Sequence, residues 1–176
     1  MRKQTGSYFD LWESPVGTIG LVAGESGLLE IVVDPSAASI EDRIYRKYPD
    51  AHQKRSPLIK AAVAQLNEYF NGLRKQFELP LDFSGLSSFS RDVLRCLQRV
   101  EYGQTLTYGA LASLAGHPQA ARAVGRAMAA NPFPVIIPCH RVLGSGGKMT
   151  GYSGGEGIAT KQKLLLLERS QRWSQE

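Results

Sequence analysis

The chain has 176 residues and a mass of 19.3 kDa, enough to bury a core without disulfides or metals and compatible with one domain or two small ones. Its 43% hydrophobic and 21% charged residues suit a soluble protein, and no apolar run approaches the ~18 residues of a membrane span. The net charge of +5 is lopsided: residues 1–84 hold 10 Lys/Arg against 11 Asp/Glu, and residues 85–176 hold 11 against 5. An anionic partner such as nucleic acid is therefore expected for the second half, although a merely basic surface gives the same count.

Met1–Gly6 leads directly into alternating sequence without a secretory pattern, so a cytoplasmic protein is expected. Tyr8–Trp12, Val16–Val22 and Leu28–Val33 read as an antiparallel meander, with turn signals at Pro15-Val16-Gly17 and Gly24–Gly27. Residues 35–55 mix acids and bases on a solvated face, with a helix expected over Ser39–Tyr48. Ser56-Pro57 has the form of a cap and first helical residue, and Leu58, Ile59, Ala62, Val63, Leu66, Tyr69 and Phe70 follow at helical spacing. Phe77–Phe83 is expected as an edge strand, because Pro80 cannot donate within a central ladder. The linker Ser84–Ser88 marks the change of charge and pattern. It divides a 1–84 α/β scaffold domain from an 85–176 helical domain.

In the second half Ser88 is placed to cap a helix with Phe89, Val93, Cys96, Leu97 and Val100 near one face, which makes Cys96 a structural thiol. Thr107 is placed to cap a short helix carrying Leu111, Leu114 and Ala115 inward before Gly116. His117-Pro118 is expected to open the next helix, packed through Ala120, Val124, Ala127 and Met128, with Arg122 and Arg126 projecting from one face. Two short helices around a glycine turn, the second basic and rich in alanine, read as a helix-turn-helix; an ordinary hairpin with solvated arginines fits the same pattern.

Asn131-Pro132-Phe133-Pro134-Val135-Ile136-Ile137-Pro138-Cys139-His140-Arg141-Val142 carries a thiol on a segment stiffened by three prolines. His140 and Arg141 are both able to favour a thiolate. Cys96, Cys139 and two of His52, His117 and His140 lack metal-knuckle spacing, so no metal is expected. Gly144–Gly155 reads as a flexible loop that is not a phosphate-binding loop; a pocket wall and a plain surface loop remain open. Thr160–Arg169 reads as a helix with Leu164, Leu165, Leu166 and Leu167 mostly buried and Glu168 near its end.

Asn131-Pro132 through Pro138-Cys139-His140-Arg141-Val142, with Ala121-Arg122-Ala123-Val124-Gly125 before it and Gly151-Tyr152-Ser153-Gly154-Gly155 after it, closely resembles the O6-alkylguanine-DNA alkyltransferases, or methylated-DNA–protein-cysteine methyltransferases, over residues 7–170. The resemblance implies a ribonuclease H-like α/β N-terminal domain and a mostly helical C-terminal domain with a helix-turn-helix. It implies irreversible transfer of the alkyl group from O6-alkylguanine, and from O4-alkylthymine, onto Cys139, one turnover per molecule, without a cofactor or a metal. By the same resemblance His140 is the base acting through a water, Glu168 its orienting partner and Asn131 the brace of the turn. Arg122 fills the place of the flipped nucleotide, and Tyr108 rotates the adjoining phosphate and donates to the leaving guanine. Arg126, Ala121 and Gly125 belong to the DNA-binding surface, and Met128, Val142, Tyr152 and Ser153 to the base pocket. The implied partner is double-stranded DNA bound through the minor groove by a cytoplasmic, nucleoid-associated monomer able to assemble side by side on DNA.

Overall fold

The computed structural model describes residues 6–173, with side chains through residue 169. The chain divides into two compact units, Met1–Phe83 and Ser84–Glu176.

In the first unit β1 (Tyr8–Ser14), β2 (Gly17–Ala23) and β3 (Leu28–Asp34) form the expected meander. A further strand, β4 (His52–Gln53), pairs in parallel with the start of β1, giving the order β3-β2-β1-β4. Two exposed polar residues carry no periodicity, which is why the polar run around them gives no strand signal. Helix α1 (Ala37–Lys47) begins two residues before Ser39, because the Ser36 side chain accepts from Ser39 N and serves as the cap. Helix α2 (Pro57–Phe70) starts as expected, with Ser56 accepting from Ile59 N.

The two helices cover opposite faces of the sheet. Phe9 meets Tyr45 of α1 and Trp12 meets Phe70 of α2, and odd and even positions of one strand point to opposite faces. Burial on both sides explains why β2 and β3 are almost continuously apolar. Close seating of α1 needs Gly20, where a Cβ would lie 2.3 Å from Ile40 Cγ2. Glu30, 2% exposed, faces α1 and receives Arg43 Nη2 at 2.7 Å, Lys47 Nζ at 2.6 Å and the Tyr48 hydroxyl at 3.1 Å. Phe77–Phe83 does not become an edge strand: only Leu81 bridges to Leu28, with Leu28 N donating to Pro80 O at 2.8 Å and Asp82 N to Leu28 O at 2.9 Å. Proline, having no N–H, limits that segment to an isolated bridge.

In the second unit α3 (Ser88–Leu97) is capped by Ser87 rather than Ser88. Strand β5 (Leu106–Thr107) precedes α4 (Tyr108–Leu114), whose first turn is capped by the Thr107 side chain accepting from Ala110 N. Leu111 and Ala112 are buried beneath α4, but Leu114 lies off that stripe and is 65% exposed, against the expected inward placement, while Ala115 is half-buried. Helix α5 spans Ala121–Ala129 and does not begin at His117-Pro118. Gly116, at φ 80°, ends α4 in a Schellman arrangement in which Gly116 N donates to Ser113 O and His117 N to Ala112 O. His117 is thus still occupied in closing α4, and the chain needs three more residues before α5 can start. The pair α4–α5 is the helix-turn-helix. Strand β6 (Val142–Leu143) pairs in parallel with β5, and α6 spans Ile158–Trp173. Of its four consecutive leucines, Leu164 and Leu165 are buried, Leu167 is half-buried and Leu166 is 63% exposed, since one helical stripe cannot take four successive residues.

Candidate active site

The proline-rich segment is a compact bracket. The Asn131 side chain closes it by accepting from Phe133 N at 2.9 Å and donating to Ile137 O at 3.0 Å, while Ile137 N donates to Phe133 O at 2.8 Å. Inside the bracket Val135, 1% exposed, adopts φ 72°, a left-handed conformation that is strained for a β-branched residue. Beyond it Cys139–Arg141 forms a single 3-10 turn and passes directly into β6. The β5–β6 pairing, Leu106 with Val142 and Thr107 with Leu143, sets Tyr108 at the head of α4 beside that turn.

Cys139 lies at the base of a cleft of about 250 Å³ lined by Tyr108, Gly125, Met128, Ala129, Gly151, Tyr152 and Ser153. One wall is the C-terminal half of α5; the opposite wall is the glycine-rich loop, tied to α5 by the Ser153 hydroxyl donating to Ala129 O at 3.1 Å. A shallower depression sharing Tyr108 and Gly125 is lined by Thr107, Ala121, Arg122 and Thr150. The structure therefore brings together Cys139, Tyr108, Gly125, Met128, Tyr152 and Ser153, and places Ala121 and Arg122 at the adjoining surface. The side chain of Val142 does not line the cleft, being fully buried in β6. Exposed Arg126 lines neither concavity, and Asn131 holds the bracket from behind. Cys96 is a half-buried free thiol on α3. Among the described residues no three His, Cys, Asp or Glu side chains are grouped to hold a metal, and no helix is long and apolar enough to cross a membrane.

Behind the sulfur lies a buried polar cluster. His140 Nε2 is 2.6 Å from Glu168 Oε1, and both residues are 0% exposed. A carboxylate only accepts, so Nε2 carries the proton and the bare nitrogen of a neutral ring is Nδ1, which is buried with no protein partner. Glu168 also accepts Arg141 Nε and Nη2, each at 2.9 Å, and Gly103 N at 3.1 Å. Burial alone would raise Glu168, but these donors, His140 and Arg141 foremost, bring it down to about 2. Burial pushes His140 below its ordinary range, aided by the Arg141 and Lys161 charges and opposed by Glu168.

Cys139, 6% exposed, is pushed up by burial, against the pull of the Asn131 amide, the Lys161 charge and the Tyr152 hydroxyl. The resting sulfur is accordingly a protonated thiol. Arg141 does not act on it in the way its sequence neighbourhood suggests, because the guanidinium is turned to Glu168 and, through Nη1 at 2.6 Å, to Val100 O. The cation that favours the thiolate is Lys161. It is 0% exposed, and its Nζ donates to Val142 O at 2.6 Å, Thr150 O at 2.8 Å and Gly151 O at 3.5 Å. Sequence reasoning passed over this residue, although a signal was present: Lys161, Leu164, Leu165 and Glu168 stand at the i, i+3, i+4, i+7 positions of one buried stripe. A charge at each end of an apolar stripe is an anomaly that points to a site.

The model of the 6-O-methylguanine DNA methyltransferase ribonuclease-like domain matches residues 7–83, and that of its DNA-binding domain matches residues 88–170. A methylated-DNA–protein-cysteine methyltransferase of Methanosarcina acetivorans is 39% identical over 163 residues, covering 93% of this chain and 99% of the relative. The crystal structure of Mycobacterium tuberculosis O6-methylguanine methyltransferase is 36% identical, with a TM-score of 0.78 over 94% of each chain. A structure of the M. tuberculosis protein in complex with DNA is 37% identical, with a TM-score of 0.76 over 93% of this chain and 94% of that one. Both halves of the sequence, the helix-turn-helix and the thiol at the foot of the cleft thus agree, and the chain belongs to the O6-alkylguanine-DNA alkyltransferase family.

Proposed function

We propose that the protein repairs O6-alkylguanine in double-stranded DNA by moving the alkyl group irreversibly onto Cys139, one lesion per molecule, and that it accepts O4-alkylthymine in the same cleft. The observation that carries this reading is a thiol at the base of a cleft one of whose walls is a helix of the helix-turn-helix. A lesion inside a base stack cannot reach such a thiol, so the nucleotide must be turned out of the duplex. Arg122, exposed near the head of α5, occupies the place it leaves, with the rest of α5 lying in the minor groove. Ala121 and Gly125 keep the backbone close to DNA there, and Arg126 meets phosphate.

The chemistry follows from the resting charges. Cys139 starts as a thiol and His140 as a neutral ring with Nδ1 bare. The thiol proton passes through a water to Nδ1 while sulfur attacks the alkyl carbon. A carbon–sulfur bond forms, the carbon–O6 bond breaks, and its electron pair stays on the guanine, which takes a proton from the Tyr108 hydroxyl; the proton held on His140 Nδ1 is then released to solvent, from which Tyr108 recovers its own. The sum is an alkyl group moved to sulfur and one proton moved to the base. Sulfur suits the step, since a saturated carbon offers no oxyanion to stabilise and calls for a soft nucleophile. Met128 supplies apolar contact, while Tyr152, Ser153 and backbone groups at Cys139 and Val142 read the base edge. Glu168 holds the ring, and Asn131 holds the turn. The resulting thioether has no hydrolytic exit, so no turnover follows. The protein acts in the cytoplasm on nucleoid DNA, as a monomer that can line up side by side along the duplex.

Intact-protein mass after incubation with duplex DNA bearing labelled O6-methylguanine tests this directly. One methyl group on Cys139 is expected, with label transfer stopping at one per molecule. Cys139→Ser should bind DNA without accepting label, and Arg122→Ala should lose transfer more than non-specific binding. An unmodified wild-type protein with its thiol reduced would rule the reading out.

A further inference from the structure

Arg141 is buried beside the reacting residue yet points away from it, and the observed hydrogen bonds of its guanidinium end on Glu168 and Val100 O. Among the described residues, the charged and titratable groups of this pocket come from three elements. From α6 come Glu168 and Lys161; from the 3-10 turn come Cys139, His140 and Arg141; from the segment after α3 comes Tyr102, whose ring lies 5.7 Å from the Arg141 guanidinium. With Cys139 a thiol and Tyr102 a phenol, Arg141 cancels Glu168, and Lys161 is shared among backbone carbonyls. Putting a proton on Nδ1 would add a second uncompensated cation to groups that, the half-buried Tyr102 aside, are at most 6% exposed. Without Arg141 the excess of one cation is gone and Lys161 stays held by its carbonyls two turns away on α6, so Glu168 would be the charge nearest His140, 2.6 Å away, and the natural answer is an imidazolium.

We propose that Arg141 is a positioning residue of the transfer reaction: its two-pronged pairing with Glu168 lets the carboxylate orient His140 without protonating it, so that Nδ1 remains free to take the thiol proton. The pairing is specific in geometry. Two parallel N–H donors occupy both carboxylate oxygens from the side, Nε2–H of His140 takes the remaining approach to Oε1, and Gly103 N takes that to Oε2. Orientation and charge are thereby separated, with Glu168 fixing the ring and Arg141 removing the electrostatic side effect. This rests on the proposed role of His140 as base, but its first consequence concerns only the resting protein.

Nitrogen-15 NMR of the wild-type full-length chain, labelled in histidine, should find the His140 ring neutral with its proton on Nε2 from pH 8 down past ~6.5, the ordinary histidine value. A ring that is charged at neutral pH, or protonated on Nδ1, overturns the proposal without any variant. In Arg141→Met the same resonances should report an imidazolium at pH 7. Methyl transfer should then fall about tenfold or more at pH 6.5 and recover towards wild type by pH 9, whereas Arg141→Lys should titrate close to wild type. Combining R141M with Glu168→Gln removes both charges and should return His140 to the neutral form. A loss of rate equal at every pH, or an R141M ring that stays neutral, means that Arg141 serves the fold only and ends the proposal. If R141M does not fold, the wild-type spectrum and the R141K titration decide the matter. If the NMR outcome holds while no variant transfers alkyl groups, the alkyltransferase reading is what has failed.

Discussion

At the scale of single residues, the site combines strain with compensated burial. Val135 sits at φ 72° between Asn131 and Cys139, with its side chain buried. Truncating a buried valine to glycine ordinarily costs more than truncating it to alanine, by about 1 kcal/mol of backbone entropy. In a left-handed conformation alanine carries a penalty of about 1–2 kcal/mol that glycine escapes. Val135→Gly is therefore expected to match or exceed Val135→Ala in urea midpoint; a glycine variant clearly weaker than the alanine one would mean that the bracket is not strained there. Glu168 makes a second prediction. Its folded value is depressed to about 2 from 4.5, so its contribution is present above pH 4.5 and is lost as pH falls towards 2, amounting to on the order of 3 kcal/mol. Glu168→Gln should flatten the acid limb of stability between those pH values. It should not abolish that limb, because the depressed Glu30 contributes in the other unit.

At the scale of elements, α6 organises the site although it contributes nothing to the wall of the cleft. Lys161 and Glu168 lie two turns apart on its buried stripe. One gathers the carbonyls of Val142, Thr150 and Gly151; the other gathers His140, Arg141 and Gly103. Lys161→Met should slow alkyl transfer about 10- to 100-fold, as expected when charge-assisted hydrogen bonds are lost, and do so equally for lesioned DNA and for a free O6-alkylguanine base. DNA affinity should hold, since Lys161 is fully buried; a selective loss of DNA binding would contradict this placement. The meander, α2 and the helix pair could be read from the sequence because each carries a period and a turn or cap signal. The start of α5 could not, since a Schellman closure occupies His117 and looks in sequence like a helix opening. Nor could the bonds around Glu168, because residues 103, 140, 141 and 168 meet only after β5 pairs with β6 and α6 packs behind them.

At the scale of the whole molecule, charge and chemistry share one unit. The unit holding the cleft also carries the positive excess, with Arg122 and Arg126 exposed on α5. Binding to undamaged duplex should weaken as salt rises, by about 0.9 in log–log slope for each phosphate neutralised. Arg126→Ala should reduce that slope by about one, while Lys60→Ala, on exposed α2 surface in the other unit, should leave it unchanged. Equal effects from the two would spread the DNA footprint over both units. The charge imbalance was visible in the composition; which basic residues remain on the surface was not, since Arg141 and Lys161 are counted in the same excess and are withdrawn into the core.

The near-complete enclosure of Cys139 has a further consequence. Peroxides and disulfides react with exposed thiolates far faster than with sheltered thiols. A sulfur that is 6% exposed and held protonated at rest has a long shelf life in a cell full of electrophiles.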